Sequence, residues 1–497
     1  MRRPLALTAV ALSGILLAGC ASTPETPTAD VNTDATINIQ VGLEPTSLDV
    51  RSTAGASLQQ LLIGNVYEGL VARIPGGEVE PALATVWTVS DDGLTYSFDL
   101  RDAVFHDGAP LTVDDVVSSL EAASAEGSLN PDAKKMTGVA SVAAVDDDTV
   151  EIALDARDIN FLDTLASTGG LIVRANESAD LANVTNGTGP YGVDQWNKGA
   201  TIALERFDDY WGDAPLNRTV VFHYIAEPTT ALNALATGEV DILTGATAET
   251  VEYFEGEGEM VIIAGEATSW MTLGMNSGSG PLADVDVRRA INMAVDKEGL
   301  VEALGGYASI PSSLTATTDP WYTDLSDVNP YDPEAARALL AEAGYTDLGL
   351  TLTVANNYDT KISEYVAAQL AEVGISLDIV SVEFSTWLEQ VYNGKEYELT
   401  LVLHVDPWTL TYYGNPDYYW NYDDTTAQQL VVAARKAADF AERDALLSEL
   451  AVRVAEQAAS GWLYSPQSMV IATPAVTGYP VDRIANHLPV SEITVAG

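Results

Sequence analysis

The sequence predicts an α/β protein built from two separate α/β regions, and two stretches of periodicity carry that prediction. In the first, Val220, Phe222 and Tyr224 alternate as a strand, a short helix follows over 230–236, Gly238 stops it, and Val240 and Ile242 resume a strand. In the second, Asp332 caps a helix with Pro333 at its first position and Gly344 ends it. Leu348, Leu350, Leu352 and Val354 then alternate, a helix places Ile362, Tyr365, Val366, Leu370 and Val373 on one face, and Ile375, Leu377 and Ile379 return as a strand. Strands joined through helices are expected to pair in parallel by right-handed crossovers. The units lie roughly 100 residues apart in a chain of 497, long enough for about three compact units.

The remaining elements follow in chain order. Met1-Arg2-Arg3 is a short positive segment, and Leu5 to Leu17 is apolar but too short to span about 30 Å of hydrocarbon. Leu17-Ala18-Gly19-Cys20 matches the lipobox of bacterial lipoproteins, and Cys20 is the single cysteine of the chain. This predicts a signal peptide over 1–19, a lipid on Cys20 and a Pro/Thr-rich flexible tether over 20–35. One cysteine also excludes disulfides and Cys-ligated metal centres. Beyond the tether, Ile37, Ile39 and Val41 alternate as a first strand, and 95–100 forms another. Thr112 with Asp115 reads as a capping box opening a helix that buries Val113, Val116, Val117 and Leu120. A hairpin turns at Asp146-Asp147-Asp148, with Val150, Ile152 and Leu154 on one face.

Charge removes several function classes. Seventy-two acidic residues against 23 basic give a formal charge of −49, which excludes a general nucleic-acid binder because phosphate contacts need clustered Lys and Arg. The acidity serves either as a solubilising surface or as a field that steers cationic solutes. No Gly-x-Ser-x-Gly elbow, phosphate loop or dinucleotide fingerprint appears, and acidic pairs are too abundant to identify a glycosidase. His106, His223, His404 and His487 have no ligand-like mutual spacing, so no metal site or cofactor is expected.

A series of short motifs points further. In order they are Asn65-Val66-Tyr67-Glu68-Gly69-Leu70-Val71, Pro81-Ala82-Leu83-Ala84, Val89-Ser90-Asp91-Asp92-Gly93-Leu94-Thr95-Tyr96 and Phe105-His106-Asp107-Gly108. Gly187-Thr188-Gly189-Pro190-Tyr191, Asp209-Tyr210-Trp211-Gly212, Gly238-Glu239-Val240-Asp241, Asp286-Val287-Arg288-Arg289-Ala290-Ile291 and Tyr331-Asp332-Pro333-Glu334-Ala335-Ala336 follow. With these in this order, nearly all of the mature chain resembles the extracellular solute-binding proteins of family 5, the peptide/nickel class of ABC importers.

The resemblance implies a periplasmic-binding-protein-like fold of two lobes that close on a ligand, with an additional subdomain in lobe I. Lobe I would span 36–270 with its subdomain at about 70–180, lobe II 275–465, and 468–497 would return to lobe I. The chain would cross between lobes near 269–276 and 465–469. It implies a monomeric receptor, not an enzyme, anchored outside the membrane, that passes an oligopeptide to a permease and ATPase complex. An oligosaccharide receptor of the same class is the alternative, and a secreted hydrolase or surface scaffold is a rival from another class.

The family also places an acidic anchor for a peptide amine late in lobe II. Here Asp406 is that placement and Asp417 the fallback, within a stretch that also carries Trp408, Tyr412, Tyr413 and Tyr418. A carboxylate beside ring faces suits an ammonium group, and flat aromatic surface suits varied peptides or sugar rings. The same residues could instead cap a loop or pack a core. Trp270 and Asn276 lie at the implied crossover, as cleft lining or as hinge packing.

Overall fold

The computed structural model describes residues 32–53, 55–74, 79–257, 260–265, 267–278, 280–356, 358–481 and 487–496. Cys20, the signal segment and most of the tether lie outside the described residues.

Among the described residues three larger sheets form, and two of them are mixed rather than parallel. The first runs Val261–Gly265, Ser468–Ala472, Ile242–Thr244, Thr36–Val41, Thr219–Tyr224, Thr201–Arg206, Tyr191–Asn197. The first strand-helix-strand unit lies at its centre. Thr36–Val41 pairs in parallel with Thr219–Tyr224 on one side and Ile242–Thr244 on the other. The helix between those two is Pro228–Thr237, capped by the Glu227 carboxylate on Thr229 and Thr230 and ended by Gly238 at φ 75°. Antiparallel strands flank this unit, by sequential pairing on one edge and through the returning Ser468–Ala472 on the other, which helix-linked pairing did not predict.

The second sheet runs Ala308–Ser309, Ser460–Pro466, Trp270–Met275, Leu399–His404, Leu348–Ala355, Ile375–Val382. Its parallel pair, Leu348–Ala355 with Ile375–Val382, is the second predicted unit, joined by the helix Thr360–Glu372. The helix Pro333–Glu342 precedes it, with Asp332 accepting from the Glu334 and Ala335 amides. The chain passes between the sheets after Val261–Gly265 and again between Ser460–Pro466 and Ser468–Ala472. Trp270–Met275 lies wholly in the second sheet. Each sheet has its own apolar core, so the molecule has two lobes joined by two short crossings of the chain. Val476, Leu488, Val490 and Ile493 near the C-terminus pack into the first core.

A third, antiparallel sheet carries Ala84–Val89, Thr95–Leu100, Thr149–Leu154 and Val139–Ala144, and forms a subdomain with a core of its own. The helix Val113–Ser124 covers it and opens with the capping box of Thr112 and Asp115. Three of the quoted motifs meet where this subdomain joins the first lobe. The buried Glu68 carboxylate accepts from Thr188 Oγ1, Tyr210 OH and Trp211 Nε1, each at 2.9 Å. Gly187 allows this approach, since a Cβ there would stand 1.9 Å from the Val66 carbonyl oxygen.

Candidate functional site

The subdomain and the second lobe touch along a seam, and the predicted anchor lies on it. Asp406 follows the strand Leu399–His404, whose His404 is paired in register with Trp270. Its Oδ1 accepts the Trp408 amide at 2.8 Å, and its Oδ2 accepts the Tyr412 hydroxyl. Lys135 Nζ reaches across from the subdomain to 3.8 Å from the same Oδ2. Lys135 also pairs with Asp132 at 3.2 Å. Burial pulls the Lys135 ammonium toward neutrality, but the charges of Asp406 and Asp132 overcome it and leave its pKa raised.

Around Asp406 the aromatic stretch divides into two layers. Trp408 stacks on Trp321 with centroids 5.1 Å apart, and Tyr412 stacks on Tyr418 at 5.0 Å. All of these except Trp321 are partly exposed, so they keep ring surface accessible. The Arg443 guanidinium lies over both indoles, 5.0 Å from Trp321 and 5.8 Å from Trp408. Beneath them Tyr413 is fully buried, stacked on Trp420 at 4.0 Å, with its hydroxyl on Ser460 Oγ. His404 shares a 3.0 Å hydrogen bond with Tyr419 OH, and burial pushes its pKa down to about 4, so it is neutral.

The predicted site residues therefore separate by position. Asp406, Trp408, Tyr412 and Tyr418 are brought together at the seam. Tyr413 belongs to the packed layer below. Trp270 is buried in the same aromatic core. Asn276 has its carboxamide fully used: Nδ2 donates to the Lys395 and Tyr397 carbonyls at 3.1 and 2.9 Å. Its Oδ1 accepts from the Gly278 amide and from Asn421 Nδ2. Trp270 lies at the crossover end of its strand, whereas Asn276 follows the opposite end and bonds only to second-lobe residues, so it is not at the crossover where the sequence placed it. Asp417 is exposed on the turn after Asn415.

Several seam residues carried no recognisable sequence signal. Arg73 pairs with Asp163 at 2.6 Å. Burial raises Asp319 to about 6, against the pull of an amide hydrogen bond from Ala316 and of the Arg443 and Arg73 charges. Burial, reinforced by the Arg73 charge, lowers His487 to about 4. Farther along, Arg435 binds Asp158 at 2.5 Å and its carbonyl accepts the Ile159 amide at 2.9 Å. Arg157 donates to the Ala438 carbonyl at 2.5 Å, and Arg443 to Asn160 Oδ1 at 3.2 Å. A chain with only 23 basic residues thus places Arg73, Lys135, Arg157, Arg435 and Arg443 along this seam. Acidic lobes repel, and cations at the contact offset that repulsion. A cavity of about 370 Å³ lies elsewhere, within the second lobe beside Lys297 and Trp462, and contains none of the predicted site residues.

What this arrangement can do chemically is bind rather than react. The seam offers a carboxylate, aromatic faces and ion pairs contributed by the subdomain and the second lobe. Among the described residues no helix is long and apolar enough to cross a membrane.

Comparison with known proteins gives the same picture. The model of bacterial extracellular solute-binding proteins, family 5 Middle, matches residues 78–429. The glutathione-binding protein GsiB of Salmonella paratyphi A is 30% identical over 367 residues, covering 69% of this chain and 69% of that protein. The periplasmic binding protein DppA of Helicobacter pylori, solved with the peptide STSA, superposes with a TM-score of 0.81 at 24% identity, over 94% of this chain and 99% of that one. NikA of Brucella suis, solved with Fe(III)-EDTA, gives a TM-score of 0.83 at 22% identity, over 93% and 100%.

Proposed function

The chain belongs to the bacterial extracellular solute-binding proteins of family 5, and from that premise we propose that it captures oligopeptides between its lobes and holds the ligand amine on Asp406. The coarser reading stands on the family itself: the chain is an extracytoplasmic substrate-binding component of an ABC importer, and not an enzyme. The two-lobed fold is that of the solved neighbours.

One observation carries the proposal. Asp406 lies on the seam with Trp408, Tyr412 and Tyr418, and its carboxylate already attracts an ammonium group from the opposite body. A ligand amine arriving there meets a partly desolvated carboxylate and ring faces, while the peptide body can lie on Trp408 and Tyr418. Closure by hinge bending about the two chain crossings would then present a composite surface to the permease. The remaining assignments belong to the same proposal. The receptor acts as a monomer, held by a lipid on Cys20 and a tether over 20–35. Residues 36–269 and 468–497 form lobe I, and the strand Trp270–Met275 with 276–465 forms lobe II, which moves the boundary expected at 270 back by one residue.

Asp406→Asn keeps the side-chain shape and removes the charge. Losing one partner of a desolvated ion pair costs on the order of 2–5 kcal/mol, so affinity for a free-amine peptide should fall by roughly a hundredfold. An N-acetylated peptide should bind weakly to the natural protein and be nearly indifferent to the substitution. Isothermal titration of both peptides against both proteins measures this. Equal affinity for the acetylated and free forms would refute the amine anchor and favour stacking of a sugar on Trp408 and its Tyr neighbours.

A further inference from the structure

We propose that Lys135 is a tethered stand-in for the ligand ammonium: it neutralises Asp406 in the ligand-free receptor, and an incoming amine must displace it. This rests on the reading of Asp406 as the amine anchor. Lys135 lies on the four-residue helix Ala133–Met136 of the subdomain, fixed from below by the fully buried Met136. Its shorter ion pair is with Asp132, the N-cap residue of this helix, at 3.2 Å, and Asp132 is held in turn by the Thr168 hydroxyl. The contact with Asp406 is longer, 3.8 Å, beyond hydrogen-bond range. Lys135 therefore has somewhere to stay when Asp406 is taken from it, and the exchange strands no charge.

Asp406 is likewise prepared for exchange. Its two oxygens keep the Trp408 amide and the Tyr412 hydroxyl whichever cation faces them, so the carboxylate does not have to reorient. A cation on the same chain competes at an effective concentration set by its tether, without new contacts. The consequence is a threshold on specificity. A bare small amine gains only what Lys135 already supplies, so it does not occupy the site well. A peptide adds backbone and side-chain contacts on Trp408 and Tyr418, and these tip the exchange. Because Lys135–Asp406 also joins the subdomain to the second lobe, its loss should leave the ligand-free receptor more open.

The test uses tetraalanine and N-acetyl-tetraalanine as probes on four full-length proteins: natural, Lys135→Met, Asp406→Asn and the double variant. Methionine keeps the aliphatic stem and removes the charge. A loose, partly exposed pair corresponds to about a two- to fivefold effect. Lys135→Met should therefore tighten tetraalanine by that factor, leave the acetylated peptide unchanged, and give no gain in the Asp406→Asn background. Small-angle scattering of the ligand-free proteins should show a larger radius of gyration for Lys135→Met. Weaker binding of both peptides, or no change in either, overturns the proposal. If the natural protein does not distinguish the two peptides, or binds neither, the amine-anchor reading fails and the displacement role with it. The scattering arm still separates the cases, since an unchanged radius removes the Lys135 contact itself.

Discussion

Glu68→Gln tests how burial and hydrogen bonding compete where the first lobe and the subdomain join. Burial is the largest influence on Glu68 and pushes its pKa up to about 7, against the opposing pull of Trp211, Thr188, Tyr210 and the Arg101 charge. An acid raised in this way keeps its proton in the folded chain while the unfolded chain, with its ordinary value of 4.5, has lost it. The stability this supplies is fully present below about pH 4.5 and is lost as pH rises through about 7. At about 1.4 kcal/mol per pH unit that loss is on the order of 3 kcal/mol. Glutamine does not ionise and escapes it. It also fits the site, provided its oxygen turns toward Trp211, whose indole N–H can only donate, and its amide nitrogen toward the rotatable Tyr210 hydroxyl. Urea unfolding of both proteins at pH 4.5 and pH 8 should show the difference moving by about 3 kcal/mol in favour of glutamine at the higher pH. A difference that does not change with pH would refute the reasoning. It would mean that the three donors outweigh burial and that Glu68 is an ordinary charged carboxylate in the fold.

Two further predictions follow from the same account. Gly187→Ala forces a Cβ against the Val66 carbonyl and should cost about 3 kcal/mol or more through overpacking, seen as a large drop in Tm. Cys20→Ser should release the protein from the membrane fraction; an unmodified Cys20 in the intact mass of the natural mature protein would contradict the anchor.

The elements legible in the sequence were those with one face buried. Val220, Phe222 and Tyr224 alternate because only one face of that strand meets the core, and Pro333 and Gly344 bracket their helix by fixed backbone preferences. Trp270–Met275 was placed only as a crossover segment because all six of its residues are buried, which leaves no period of two to read. The same holds for Ser460–Pro466, buried along most of its length. At the site, the aromatic run around Asp406 stood out by composition, but which rings face the seam depends on tertiary packing. Tyr412 and Tyr413 are adjacent in sequence, yet one bonds Asp406 and the other lies in the core. Arg73 and Lys135 on the subdomain and Arg443 on the second lobe are ordinary cations until the two bodies meet, joining points about 300 residues or more apart. Their one available signal was scarcity, in a chain with three times as many acids as bases.

The central claim is that this receptor carries peptides, and mass spectrometry of the solute retained by protein purified from its native host tests it most directly. Denaturing the complex should release a set of short peptides with free amino termini, absent from Asp406→Asn prepared in parallel. Release of a saccharide or a metal chelate instead, equally abundant in both preparations, would contradict it.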